Sequence, residues 1–291
     1  MAAFKHLWRN AAFRIGAIVL ALLVVIAAAA PWLGTVDPAA LDYSLINRPA
    51  GEQVDFALPD GDSVRHTLWM GSDSFGRDIY SRVIYGTRVS LLVAISVAVI
   101  AVSIGIFLGI LAGFFQRIDA LIMRLMDGLM AFPPILVAIA LVAALGAQLW
   151  TVIVAVAMPE IPRVVRLVRS MVLTLRAEPF VEAAVALATP TPAILRRHIL
   201  PNAFAPLIVQ GTFIAASAVL TEAALSFLGL GLPADIPTWG NIMAEGRVQF
   251  SQYPGNVLFP AAFLVPTILA INLLGDGMRD ALDPKFAKRT G

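Results

Sequence analysis

Ser90–Gln116 reads SLLVAISVAVIAVSIGIFLGILAGFFQ, an unbroken run without one charged side chain. At about 1.5 Å per residue such a helix reaches roughly 40 Å. A bilayer core of about 30 Å is crossed by about 20 apolar residues, so the run spans it with some tilt. Its small residues (Ser96, Ser103, Gly105, Gly109, Ala112, Gly113) suit close helix packing in lipid. Gly105, Gly109 and Gly113 recur every four residues on one face, which predicts a packing seam within the chain rather than a dimer seam. The rest of the chain agrees. It is 59% hydrophobic and only 14% charged, with mean hydropathy +0.84. A soluble domain carries roughly a quarter charged residues. Cysteine is absent, which excludes disulfides, thiolate metal sites and cysteine nucleophiles. The basic residues are scattered and form no patch for nucleic acid.

Working outward, Ile15–Leu33 is a second uncharged run, preceded by Lys5, Arg9 and Arg14. It exceeds an ordinary signal-peptide core and is read as an uncleaved first helix, although Ala28-Ala29-Ala30 would suit a cleavage site. Gly128–Pro159 is too long for one span and too short for two, and Gly146-Ala147-Gln148 interrupts it. This predicts a tight hairpin whose first helix enters before Gly128, kinked at Pro133-Pro134, and whose second continues past Pro159. Ile199–Thr221, extended to about Gly229, gives a fifth span. Asn256–Gly275 gives a sixth, in which Pro260 and Pro266 are tolerable if neighbours satisfy the freed carbonyls. Six spans put both ends on one side, and most of the 21 Lys and Arg then fall on that side, so it is read as cytoplasmic. Arg77, Arg82 and Arg88 oppose the trend, but a long first outer segment translocates regardless of charge. That segment predicts irregular structure with a short hairpin near Asp60-Gly61. The second outer loop, about Leu230–Gly255, predicts a short interfacial helix near Asn241–Phe250.

Between the fourth and fifth spans lies a moderately polar stretch on the cytoplasmic side. Arg163, Arg166 and Arg169 are read as snorkelling toward headgroups. Pro179 can open a helix, Glu182 suits its positive end, and Pro190 and Pro192 are expected to stop it. Phe180, Ala184 and Leu187 are expected to share one face. Arg196, Arg197 and His198 precede Leu200-Pro201-Asn202, where the chain re-enters the membrane. The product is a short helix lying across the cytoplasmic face, held at both ends, suited to sit in a cleft on another protein.

Five blocks, in order along nearly the whole chain, resemble the membrane subunits of bacterial ABC importers for peptides, and most closely the C-type permeases of the dipeptide/oligopeptide/nickel group. They are Gly71-Ser72-Asp73-Ser74-Phe75-Gly76-Arg77-Asp78 with Gly86-Thr87-Arg88; Arg124 and Asp127 with Ala131-Phe132-Pro133; Glu182-Ala183-Ala184 with Leu200-Pro201; Glu222-Ala223-Ala224-Leu225-Ser226-Phe227-Leu228-Gly229 with Trp239-Gly240; and Gly275-Asp276-Gly277-Met278-Arg279-Asp280. Ala188 stands where the family motif has glycine. The resemblance implies an all-α polytopic membrane protein of the type I importer permease fold, with six transmembrane helices and a cytoplasmic coupling helix. Residues 1–14 would be cytoplasmic, 15–34 the first helix, 35–87 extracytoplasmic, 88–280 the permease core with the coupling loop at 176–200, and 281–291 a cytoplasmic tail. It also implies the bacterial inner membrane, with both termini cytoplasmic. The implied partners are a second, B-type permease, two cytoplasmic ATPases and an extracytoplasmic substrate-binding protein. ATP and magnesium would reside on the ATPases. The chain itself has no Gly-Lys-Ser/Thr loop: its lysines Lys5, Lys285 and Lys288 follow Phe4, Pro284 and Ala287.

The ATPase-docking residues implied are Glu182, Ala183, Ala184, Leu187, Ala188 and Arg196. Gating or pathway candidates are Glu222, Asp276, Arg279, Arg77, Asp78 and Arg82. Against these stand plainer roles: a cap or ion pair for Glu222, a salt-bridge cluster for Asp276, Arg279 and Asp280, and a structural network for Arg77, Asp78 and Arg82. Met123, Met126 and Met130 form a stripe read as core packing. Short peptides are the expected cargo, with nickel or another small solute as the alternative within the family. An ion-coupled secondary transporter would need mid-membrane acids and an internal repeat, neither of which is evident. An intramembrane enzyme would need an acid pair or a Ser/His constellation at bilayer depth.

Overall fold

The computed structural model describes residues 7–57 and 63–282. Helix α1 (Ala11–Ala29) starts at Asn10, whose Oδ1 accepts the amides of Ala12 and Phe13, and ends in a 3-10 turn at Ala30–Trp32. Strands β1 (Glu52–Ala57) and β2 (Ser63–Leu68) pair antiparallel, Glu52 opposite Leu68 and Ala57 opposite Ser63. This hairpin departs from an all-helical chain, and it closes over a small core of Ala40, Leu45 and fully buried Phe56. The turn expected at Asp60-Gly61 lies outside the described residues, as do Lys5, His6 and the tail from residue 283.

Helix α2 (Ile79–Phe114) begins well before the expected Ser90. Asp78 caps it, its Oδ2 accepting the Ser81 amide at 2.9 Å. The arginines that argued for a later start are absorbed by protein. Arg82 is buried among acids, and Arg88 donates to the free carbonyls of Ala27 and Ala28 at the end of α1.

Helices α3 (Gln116–Met130) and α4 (Pro134–Leu145) meet at an 87° bend, as Pro133-Pro134 foretold. Of the methionine stripe, Met126 is buried and Met123 half-buried, but Met130 is exposed, so the core reading fails at the last position. Gly146, at φ +86°, turns the chain into α5 (Leu149–Ala157). A 3-10 turn at Met158–Glu160 leads into α6 (Ile161–Arg176). Then come α7 (Pro179–Ala186), α8 (Thr191–Ile194), a π-helical turn at Leu195–Ile199, and α9 (Leu200–Phe227). Helix α10 (Trp239–Gly246) opens with a capping box between Thr238 and Asn241, and α11 (Gly255–Leu282) ends the described chain.

Among the described residues, four helical stretches are long and apolar enough to cross a membrane: Ala11–Trp32, Ile79–Phe114, Thr191–Phe227 and Gly255–Ala281. The bent α3–α4 pair makes five. The remaining expected crossing falls on α5 and α6, which the turn at Met158–Glu160 divides and whose second half carries Arg163, Arg166, Arg169 and Arg176.

The core is built on a seam between α2 and α6. A Cβ added at Gly105 would lie 2.4 Å from Val164, at Gly109 2.6 Å from Val168, and at Gly113 2.7 Å from Val172. Three valines at four-residue spacing fill the three glycine gaps, so the glycine face is used inside the chain, as expected. A second close approach joins the first and last helices: Gly16 lies against the backbone of Ala270 and Leu274, and Gly277 against Phe13.

Candidate functional site

The segment between α6 and α9 is built locally from its capping residues. Pro179 occupies the first turn of α7 and needs no donor there. The Glu178 carbonyl accepts the amides of Val181 and Glu182 at 2.9 and 3.1 Å. The helix ends by a Schellman motif and not at the prolines. The Thr189 amide donates to the Ala184 carbonyl and the Ala188 amide to Val185, with Ala188 at φ +53°. The left-handed turn that glycine would favour is thus kept with alanine, against a steric cost of about 1–2 kcal/mol. Pro190 and Pro192 instead open α8.

Only one face of α7 is buried. Val181 and Ala184 pack into the main core with Ile194 and Ile199. Glu182, Ala183, Val185 and Leu187 are exposed, Leu187 by 82%. The expected common face of Phe180, Ala184 and Leu187 is therefore corrected: Ala184 points inward, while Phe180 and Leu187 point out. The reason is that the buried face of α7 runs through Val181 and Ala184, three residues apart, which leaves Phe180 and Leu187 on its flank. Exposed Arg196 sits in the π-helical turn. Phe180 tilts against His198 with ring centroids 6.0 Å apart, tying the two ends of the segment together.

This segment is joined to the transmembrane body by Arg176. Its Nη1 donates to the carbonyls of Gly113 and Phe114 at 3.2 and 3.0 Å, satisfying the exposed end of α2, and its guanidinium lies 4.8 Å from the Phe114 ring centroid. Beside it opens a cleft of about 570 Å³ lined by Phe114, Arg176, Val181, Glu182, Thr189 and Ile194. The remaining arginines of α6 do not snorkel freely. Arg169 holds Asp119 of α3 through two hydrogen bonds of 2.6 Å, Arg166 reaches Asp127 at 2.7 Å, and Arg163 reaches Glu160 at 3.1 Å.

At the other end of α2, Arg77 and Arg82 lie buried with Asp73 and Glu245. Arg77 Nε is 2.6 Å from Asp73, Arg77 Nη2 also pairs with Glu245, and Arg82 Nη2 is 3.3 Å from Glu245. Both guanidiniums donate to the Ala234 carbonyl. The cluster pins α10 and its preceding loop to the start of α2. Burial pushes the Glu245 carboxyl above its ordinary range, although Arg82 and Arg77 oppose the shift. Asp78 serves as helix cap and lies 3.2 Å from His66 of β2.

Glu222 is fully buried in α9. Its Oε1 accepts Ser226 Oγ at 2.8 Å and Thr238 Oγ1 at 2.9 Å, and no cation pairs with it among the described residues. It therefore ties α9 to the cap of α10 without an ion pair. Asp276 and Arg279 are both exposed on α11, and the salt-bridge cluster expected with Asp280 does not form among the described residues. Exposed charges keep their hydration and gain little by pairing. Asp280 instead accepts a bond from Asn10 Nδ2 at 3.3 Å.

Sequence reasoning passed over Glu160, Asp73 and Glu245. Asp73 could have been found, since it stands four residues before Arg77 in one turn. Glu160 had a weaker signal, an acid between Pro159 and Pro162 at the end of a long uncharged run. Glu245 had none, because its partners are more than 160 positions away.

Comparison with known proteins places these features in a family. Residues 105–288 match the model for binding-protein-dependent transport system inner membrane components. A putative peptide transport system permease protein of Brucella abortus is 43% identical over 282 residues, covering 97% of this chain and 90% of that protein. The dipeptide transport system permease protein DppC of Alkalihalophilus pseudofirmus is 42% identical over 285 residues, covering 98% and 89%. The glutathione transport system permease protein GsiD of Escherichia coli is 42% identical over 272 residues, covering 93% and 85%. An inward-facing structure of the MetNI methionine ABC transporter superposes with a TM-score of 0.56 at 18% identity, covering 70% of this chain and 98% of that one, a likeness of fold.

Proposed function

Because the chain belongs to the family of binding-protein-dependent transport system inner membrane components, we propose that it is one of two permease subunits of an ATP-driven importer of short peptides. Relatives named for peptides, dipeptides and glutathione support that cargo. In this reading the chain crosses the bacterial inner membrane six times, Leu149–Arg176 making one crossing and the bent Gln116–Leu145 another, with both termini cytoplasmic. Its partners are a second permease, two ATPases that carry ATP and magnesium, and an extracytoplasmic substrate-binding protein.

The observation that carries the reading is the stiff connection from α7 to the transmembrane body. Val181 and Ala184 are buried in the same core as Val164, Val168 and Val172, and Arg176 caps the end of α2. A displacement of α7 would then pull on α6, which directly precedes it in the chain and is itself closely packed along α2. The exposed docking face comprises Glu182, Ala183, Val185 and Leu187, with Ala188 holding the turn and Arg196 flanking it. Ala184 supports this face from behind. ATPase closure would pull this face and rock the attached helices, each state being favoured only by its differential contacts with nucleotide, peptide or binding protein.

Reconstituted with its partners, the complex should take up peptide only with hydrolysable ATP. Single cysteines in place of Ala183 or Leu187 should cross-link to an ATPase subunit. ATP-independent uptake, or a transport-competent assembly in which neither cross-link forms, would refute the proposal.

A further inference from the structure

Helix α6 has two unlike faces. Val164, Val165, Val168 and Val172 are buried toward α2, while Arg163, Arg166, Ser170, Leu173 and Thr174 are exposed. If Leu149–Arg176 is one crossing, as proposed above, Arg163 stands about 20 Å along the helix from Arg176. That is deep within a hydrocarbon core of about 30 Å. A guanidinium at that depth is expensive against lipid, so such residues face protein or a water-filled cavity. Arg163 nevertheless leaves 50% of its side chain exposed.

The surroundings of Arg163 fix one edge of the guanidinium and leave the other open. Its Nη1 donates to Glu160 Oε2 at 3.1 Å and to Oε1 at 3.4 Å. Glu160 is itself buried, in the 3-10 turn between α5 and α6, and Oε1 also accepts Ser217 Oγ from α9 at 3.1 Å. Two helices and a turn therefore hold this edge in place. The Nε and Nη2 edge has no partner among the described residues. It is a planar pair of donors matched to a carboxylate. Its neighbour Arg166 differs, being occupied by Asp127.

We propose that Arg163 binds the C-terminal carboxylate of the peptide as it passes along the exposed stripe of α6, with Glu160 and Ser217 as positioning residues. The proposal rests on the importer reading and names a site inside this chain. Every unmodified linear peptide presents that carboxylate whatever its side chains. An arginine facing the pathway can therefore serve a transporter of mixed peptides without selecting among them.

The chain has no cysteine, so Arg163→Cys carries a single thiol for this subunit. In the assembled importer with cysteine-free partners it should react with a water-soluble thiosulfonate. Ser170→Cys, on the same stripe, should react likewise and reports the face even where Arg163→Cys fails to assemble. Uptake of a dipeptide and of its C-terminal amide is then compared in wild type, Arg163→Gln and Arg163→Lys. The binding protein's own preference cancels in this comparison. The acid-to-amide uptake ratio should fall roughly tenfold in Arg163→Gln, the scale of one charge-assisted hydrogen bond, and partly recover in Arg163→Lys. A purely structural role would lower both uptakes alike, and that result overturns the proposal. Thiols unreactive at both positions also overturn it, since the stripe would then be covered by the partner permease or lipid. Absence of ATP-dependent uptake in the wild-type complex would instead refute the importer reading.

Discussion

Replacing Gly105 by alanine tests the seam on which the proposed transmission of force depends. On an unpacked helix face this change should stabilise by about 1 kcal/mol, because alanine is the better helix former. Here the new Cβ would sit 2.4 Å from both Cβ and Cγ1 of Val164. Neither α2 nor α6 can yield without moving a row of three such contacts, so the overpacking penalty of about 1–3 kcal/mol should outweigh the gain. The sign of the effect therefore decides the matter. Val164→Gly alone should also destabilise, since it empties a fully buried site and weakens α6. Combined with Gly105→Ala it returns the methyl from the opposite side, and the next nearest atom, the Val164 carbonyl carbon at 3.4 Å, is an ordinary contact. The double variant should recover about 1–3 kcal/mol relative to additivity. Unfolding of the purified subunit in mixed micelles provides the stabilities, and uptake by the reconstituted complex reports coupling. Were Gly105→Ala as stable as wild type, or the two changes additive within about 0.5 kcal/mol, the seam would not be packed as described and the proposed transmission path would lose its basis.

Ala188→Gly should stabilise the end of α7 by about 1 kcal/mol by relieving the left-handed strain at φ +53°. Slower hydrogen exchange at the Thr189 amide, which closes that turn, checks it. Glu245→Ala should cost about 3–5 kcal/mol, since it leaves Arg77 and Arg82 buried with Asp73 as their remaining ion-pair partner among the described residues. Thermal unfolding would measure that loss, and removing Arg82 as well should recover part of it.

Which elements were legible follows from the range of the interactions that make them. The prolines at 133 and 134, the break at Gly146 and the glycine face of α2 act within a few residues, so their consequences could be read directly. The start of α2 could not. Arg82 and Arg88 looked like polar residues outside a span, yet their charge is met by Glu245 and by the carbonyls of α1, far away in the chain. The same holds for Arg166 and Arg169, read as reaching for headgroups, which pair with Asp127 and Asp119 of α3. Ala184 was assigned outward because a helical face was drawn through Phe180 and Leu187, whereas the core takes the face shared by Val181 and Ala184.

The sequence by itself determined that this is a polytopic, helical membrane chain, because uncharged runs of this length have no other stable environment than lipid. It also determined where the polar loop between the fourth and fifth expected spans falls, since charge and helix breakers are local properties of the chain. Only the tertiary structure decided which charges are neutralised by protein and which remain open. Buried pairs such as Arg82 with Glu245, and the Ser217 contact that holds Glu160 beside Arg163, depend on distances between helices that no local pattern encodes.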